Sequence, residues 1–324
     1  MEKKPPKRYP NTQQEALTFR KLSKLWLQMR HISIKTSTYI KYTGLLKRHI
    51  YPLIGDVDVK SLTRSSLNEI VTNKLNEGRL GGGGLSPSYV RSISVIINAV
   101  LQFGYQENMC SDLRITRTIP NPVTYYPLTL TLSEQQLLER YITSNPSITA
   151  AAILLALHAG LRIGEVCGLR WDDVNLSSMI LSVRRTAVRS YPGGETSYAL
   201  DYPKTRSSIR EIPLTKALGS LLAAIYPQRC SEYVVSDRDG FLQPPTLEYR
   251  YHRFLERAKV RDLNFHALRH TFATRCIEAG VDDKTLSELL GHSNVSVTLG
   301  TYVHSSMSLK KQQIMRLSLM LKGE

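Results

Sequence analysis

Six polar residues in the second half of the chain are of the types that phosphoryl transfer requires: Arg162, Lys204, His266, Arg269, His292 and Tyr302. An arginine offers a planar fork that stays charged at any working pH. It can grip the non-bridging oxygens of a phosphodiester as charge builds on them in the transition state. Imidazoles and amines move protons near neutral pH. A phenol, with an ordinary pKa of about 10, is a poor nucleophile until cationic neighbours or a base assist it. Taken singly, none of these residues proves chemistry. Arg162 in AGLRIGEVCGLRW sits where a helix begins, and such an arginine ordinarily pairs with a nearby acid, here Glu165. Lys204 in YPKTRSSIREIPL reads as a solvated hairpin lysine, His292 as a loop histidine, and Tyr302 is one of 17 tyrosines. His266 and Arg269 in HALRHTFATR stand three apart and therefore share one helix face.

Other chemistries fit less well. His270 follows His266 at the spacing of a zinc pair, but Ala267 occupies the position where a zinc-protease helix carries its glutamate. No GxSxG nucleophile elbow occurs. Cys110, Cys167, Cys230 and Cys276 are scattered without CxxC spacing, as small core residues of a reducing compartment would be. The expectation is therefore a site with no metal and no cofactor.

The order of the six residues says more than any one of them. They stand within AGLRxxEVxxLxWxDV, PKTxxSxRxIPL, HxLRHTFAT and GHSxVxxTxxxYxH, with Tyr302 ten residues beyond His292. This set resembles the tyrosine site-specific recombinases, the family of phage and transposon integrases and Xer-type resolvases. The resemblance implies roles. Arg162 and Arg269 clamp the phosphate and His292 adds a third donor. His266 is a candidate for taking the tyrosine proton, Lys204 is the general acid for the leaving 5′ oxygen, and Tyr302 is the nucleophile. Glu165 falls where the family usually carries an acidic residue of structural purpose. The resemblance further implies a 3′-phosphotyrosyl intermediate, double-stranded DNA with core recombination sites as substrate, and a homo-tetramer on paired sites. An accessory DNA-bending or excisionase factor is a possible partner. Integration or excision of a mobile element is the preferred role, with Xer-like resolution, a type IB topoisomerase and an inactive DNA-binding protein as alternatives.

Such residues must be held by elements the pattern also indicates. Thr12-x-x-Glu15 resembles a capping box, followed by Phe19, Leu22, Trp26 and Met29 at helical spacing. A second helix is expected from about Thr36 to Ile50, stopping before Pro52, and a third from near Thr63. GRLGGGGLSP reads as a flexible loop whose Ser86-Pro87 opens a fourth helix, carrying Val90, Ile93, Ile97, Val100 and Leu101 and ending near Gly104. Beyond the prolines at 120, 122 and 127 the pattern becomes mixed. Helices are expected over Ser133–Tyr141, Ile148–His158 and Ile163–Arg170, and over most of residues 215–321. Ile180–Val188 and Ile209–Leu214 alternate as two strands of one small antiparallel sheet.

The fold class expected is mainly α with a small antiparallel β-sheet. It comprises a basic extension (1–11), a helical, SAM-like core-binding domain (12–112), an interdomain linker (113–128) and a mixed α/β (α+β) catalytic domain (129–304). The last segment (305–324) has Ile314, Leu317 and Leu321 on one helical stripe, which by the resemblance docks on a neighbouring protomer. Composition agrees. The chain has 43 Lys and Arg against 27 Asp and Glu, a formal charge of +16. Residues 1–128 hold 19 of the cations and 8 of the anions. A basic excess of this size favours a polyanion. No run is apolar for long enough to span a bilayer, so no membrane partner and a cytoplasmic, nucleoid-associated location are expected.

Overall fold

The computed structural model describes residues 16–34, 36–79, 81–121, 128–190, 197–202, 209–236, 240–291 and 314–315. It divides into two compact units, Met1–Thr124 and Tyr125–Glu324.

The regular elements described in the first unit are helices, with one isolated antiparallel bridge between Thr18 and Asp58. Helix α1 (Phe19–His31) begins at Thr18, whose side chain accepts the Lys21 N–H. The Thr12 and Glu15 pair expected as its cap lies outside the described residues, and Ala16 and Leu17 are not helical. Two further donors of the first turn are satisfied from a distance, Phe19 N–H on the Val57 carbonyl and Arg20 N–H on that of Gly55. Phe19, Leu22, Trp26 and Leu27 are buried, whereas Met29 points outward.

Helix α2 (Thr36–Leu45) does not stop before Pro52. It widens into a π turn at Leu46–Ile50 and runs on as α3 (Tyr51–Ile54). The Tyr51 N–H reaches five residues back to the Leu46 carbonyl. Proline lacks a donor and crowds the preceding turn, and a widened turn gives its ring room. Helix α4 (Arg64–Glu77) opens on a reciprocal cap between Thr63 and Ser66, and α5 (Pro87–Gln106) on Ser86 with Pro87 in its first turn. The glycine run between them is more than a spacer. A Cβ on Gly84 would stand 1.6 Å from the Leu75 carbonyl oxygen, so the chain closes there only without a side chain. The extended segment after α5 is tied down as well. Ile115 N–H donates to Asn98 Oδ1, Thr116 and Arg117 N–H to Asn68 Oδ1, and Arg91 to the carbonyls of Ile119 and Pro120.

The second unit is built around α7 (Ile148–Ala159), whose sequence ITAAAILLALHA is apolar on nearly all sides and almost wholly buried. Around it stand α6 (Leu132–Ser144), α8 (Ile163–Gly168), α9 (Lys216–Ile225), α10 (Pro244–Arg257) and α11 (His266–Glu278), with α12 (Asp283–Leu290) on α11. Strands β1 (Val174–Asn175), β2 (Ile180–Val183) and β5 (Arg210–Pro213) form one antiparallel sheet in the order β1-β2-β5. Strands β3 (Thr186–Ser190) and β4 (Ser197–Asp201) form a separate hairpin. The single strand expected over Ile180–Val188 is thus two. The break falls at Arg184–Arg185, where Arg185 Nη1 donates to the buried Asp173 at 2.6 Å and Arg184 lies 3.8 Å from it. An ion pair at a fixed point interrupts the alternation. Residues 130–135 are stapled to α11: Leu130 N–H donates to Thr271 Oγ1, and Arg275 to Gln135 and to the Leu130 carbonyl.

Candidate active site

Arg162 opens α8 from extended backbone (φ −74°, ψ 153°). Its N–H donates to Glu165 Oε2 at 2.8 Å and its Nη1 to Glu165 Oε1 at 2.9 Å. A carboxylate in a first turn also meets the positive end of the helix. Glu165 is buried, and a second arginine reaches it from β5. Arg210 places Nη2 2.9 Å from Oε2 and Nη1 3.1 Å from Oε1. Burial by itself would raise the carboxyl's pKa. The hydrogen bonds and charge of Arg210, with the charge and backbone donor of Arg162, outweigh it and hold the value at about 2. Glu165 is ionised at every working pH, and the cluster carries one positive charge in excess. That excess is accessible. The Arg162 side chain is 40% exposed, and its Nε and Nη2 make no hydrogen bond to the described residues.

Helix α11 contributes His266 in its first turn and Arg269 one turn on. His266 stands at the surface beside His270, the two rings meeting edge to face with centroids 4.5 Å apart. Partial burial and then the positive charges of Arg269 and Arg162 lower its pKa, with Glu165 opposing. The imidazole is therefore neutral near pH 7 and able to accept a proton. The fold thus brings Arg162 and Glu165 of α8 and His266 and Arg269 of α11, two elements far apart in the chain, into one electrostatic neighbourhood.

Arg269 is only 1% exposed. Its Nη1 donates to the Gly160 carbonyl at the end of α7, and its Nη2 to the Leu290 carbonyl at the end of α12, 2.7 Å away. Helix C-termini carry partial negative charge, which suits a buried guanidinium. Arg210 does the same one residue earlier, its Nε donating to the Leu289 carbonyl at 2.7 Å. Gly291 then turns in the left-handed region (φ 64°), where a Cβ would lie 2.8 Å from Arg210 Nη1. Two buried arginines thus grasp the end of α12 just ahead of His292.

Lys204, His292 and Tyr302 lie outside the described residues. The chain order puts Lys204 between β4 and β5, and His292 directly after Gly291. Of the tail, only Ile314 and Met315 are described, both helical and exposed. Arg210 is the site residue that reading the sequence alone misses. Its signal is present: it holds an inward position of a strand that buries alternate residues, with Ile212 two places on. Among the described residues no group of His, Cys, Asp or Glu could hold a metal ion, and no helix is long and apolar enough to cross a membrane.

A model of the phage integrase family matches residues 130–308, and one of a phage integrase N-terminal SAM-like domain matches residues 18–76. The chain is 27% identical to a tyrosine recombinase XerC-like protein of Caldanaerobacter subterraneus subsp. tengcongensis over 323 residues, covering 91% of this chain and 81% of that one. It is 26% identical to the transposase from transposon Tn916 of Enterococcus faecalis over 186 residues, 51% of this chain and 44% of the transposase. The solved Tn1549 transposon integrase, in complex with a circular intermediate DNA, superposes with a TM-score of 0.77 at 21% identity, covering 93% of this chain and 100% of that one.

Proposed function

The chain belongs to the phage integrase family, and from that membership and the chemistry of the site we propose that it is a tyrosine recombinase that integrates or excises a mobile element. The observation that carries the reading is the half-exposed Arg162 fork, fixed by Glu165 and set beside a neutral His266 and the buried charge of Arg269. This is a cationic seat for one phosphate, with a base at its rim.

In the reaction, the Tyr302 phenolic oxygen attacks the scissile phosphorus and His266 takes its proton. The bond from phosphorus to the 5′ oxygen breaks, and Lys204 protonates that oxygen as it leaves. Arg162 and Arg269 offset the charge on the non-bridging oxygens, with His292 as a further donor. The product is a 3′-phosphotyrosyl bond and a free 5′ hydroxyl. A 5′ hydroxyl from the partner duplex reverses the step and releases the tyrosine. One phosphodiester is exchanged for another at nearly equal energy, so the cycle needs no ATP. Two arginine charges take the place a metal would fill.

The basic stretch of residues 1–128 supplies salt-sensitive grip on the DNA backbone. Four protomers on two sites exchange strands in pairs. The second reading is Xer-like resolution, favoured by the breadth of the match to the XerC-like protein. Plasmid substrates carrying either two ends of the resident mobile element or two copies of a chromosomal dimer-resolution site separate the two. Recombination of the element ends alone supports the first reading and of the resolution sites alone the second. Relaxation of plasmids that carry neither site would replace both with a topoisomerase.

A further inference from the structure

Arg210 is a fully engaged cation that the reaction as described does not use. All three of its nitrogens donate: Nη1 and Nη2 to the two oxygens of Glu165, and Nε to the Leu289 carbonyl. Its side chain is 6% exposed and that of Glu165 8%. On one side it therefore holds the carboxylate that fixes both the backbone and the Nη1 of Arg162. On the other it holds the last turn of α12, and the Gly291 backbone lies close on its guanidinium, where an added Cβ would stand 2.8 Å from Nη1. Its strand, β5, begins six residues after Lys204 in the chain. Arg269 grips the neighbouring carbonyl of the same helix end, and its other fork nitrogen donates to the Gly160 carbonyl.

We infer that Arg210 is a positioning residue for strand transfer: it sets Arg162 and the end of α12, which directly precedes His292 in the chain, at a fixed distance from each other. The inference rests on the recombinase reading for its consequence, not for its geometry. A guanidinium is needed because one planar group must serve a carboxylate and a carbonyl at once. An ammonium is a point donor without that fork. The role is distinct from simple stabilisation of the fold, which any paired charge or matched apolar pair at this place would provide.

The charged groups around Glu165 are Arg162 on its own helix, Arg210 on β5, and His266 of α11 with Arg269 beside it. Replacing the fork by a single donor weakens the largest force that opposes the burial of the carboxylate. Acid then protonates Glu165 more readily and releases Arg162.

Arg210→Lys tests this, because it keeps the buried charge paired and so preserves the fold. Single-turnover cleavage of a nicked suicide substrate is measured at saturating DNA from pH 5 to pH 8, with wild type alongside. Amide hydrogen exchange of Leu290 and Gly291 is read on the same proteins. Expected are unchanged DNA affinity and unchanged reactive amplitude, with a rate constant about 10–100-fold lower, as for a slight misplacement of reacting groups. The ratio of wild-type to variant rate should grow as pH falls, since the titration of His266 is common to both. Exchange at Leu290 and Gly291 should quicken while the middle of α11 stays protected. An equal rate, or a constant ratio across pH with unaltered exchange, overturns the inference. A loss of amplitude at an unchanged rate constant overturns it too, because that is the mark of a partly unfolded population. If wild type itself forms no adduct, the recombinase reading fails, and the exchange at Leu290 and Gly291 alone decides whether Arg210 holds the end of α12.

Discussion

Glu165 holds Arg162 at both ends, one carboxylate oxygen on the backbone N–H at 2.8 Å and the other on Nη1 at 2.9 Å. The acid three residues into the motif is therefore what aims the arginine at its head. With Arg210 on its far side, the same carboxylate is the centre of a three-member ion cluster.

Glu165→Gln leaves Arg210 buried without a counter-charge and should destabilise the protein by about 3–5 kcal/mol, the range for breaking a buried pair. Thermal or urea unfolding checks this. The sign with pH follows from the carboxyl's depressed pKa, about 2 folded against an ordinary 4.5. Its contribution is complete above pH 4.5 and is lost as pH falls toward 2. The stability gap between wild type and Glu165→Gln should therefore narrow in that interval, and a gap independent of acid would show that the carboxylate is not held by the arginines.

Tyr251 is a different kind of buried group. It is fully buried on α10, packed edge to face on Phe265, and its hydroxyl has no hydrogen-bond partner among the described residues. Burial first, and then the charges of Asp262 and Glu248, push its pKa up. Removing an unsatisfied hydroxyl removes a desolvation cost of about 1–3 kcal/mol. Tyr251→Phe should therefore be neutral or stabilising in a urea titration. A loss of stability would mean that the hydroxyl has found a partner.

Lys204→Ala should cleave slowly, because the 5′ oxygen then leaves without a proton donor. A substrate with sulfur at the 5′ bridging position leaves without protonation and should restore much of the rate. If the sulfur substrate is no faster with the variant, Lys204 is not the leaving-group acid.

Residues 1–128 expressed alone should bind duplex DNA weakly, with affinity falling steeply as salt rises. The unit has its own buried core, from Phe19 to Leu101, so the fragment retains a reason to fold. Affinity indifferent to salt would contradict a phosphate-gripping role.

The helix starts are legible in the sequence because their signals are local. Thr63 and Ser86 each cap a helix where one is expected, through a side-chain oxygen three residues from its donor, whereas Thr131 caps α6 two residues ahead of the Ser133 start expected from the sequence. Where distant partners intervene, local reading fails. Pro52 reads as a stop because a π turn at Leu46–Ile50 has no local signature. Ile180–Val188 reads as one strand because nothing in its alternation announces that Arg185 is committed to Asp173. The same limit applies at the site. Arg162, His266 and Arg269 are legible through their motifs, but the grip of Arg210 on Leu289 spans 79 positions and appears only once the chain is folded.

The central claim is that the phenolic oxygen of Tyr302 forms a covalent link to DNA. Wild-type protein and Tyr302→Phe, incubated in excess EDTA with a nicked suicide substrate and resolved on a denaturing gel, test it most directly. Wild type should give a protein–DNA band that survives denaturation and chelation, whereas the variant should bind the same DNA and give none. A band persisting with Tyr302→Phe, or a wild-type band abolished by the chelator, would contradict the account.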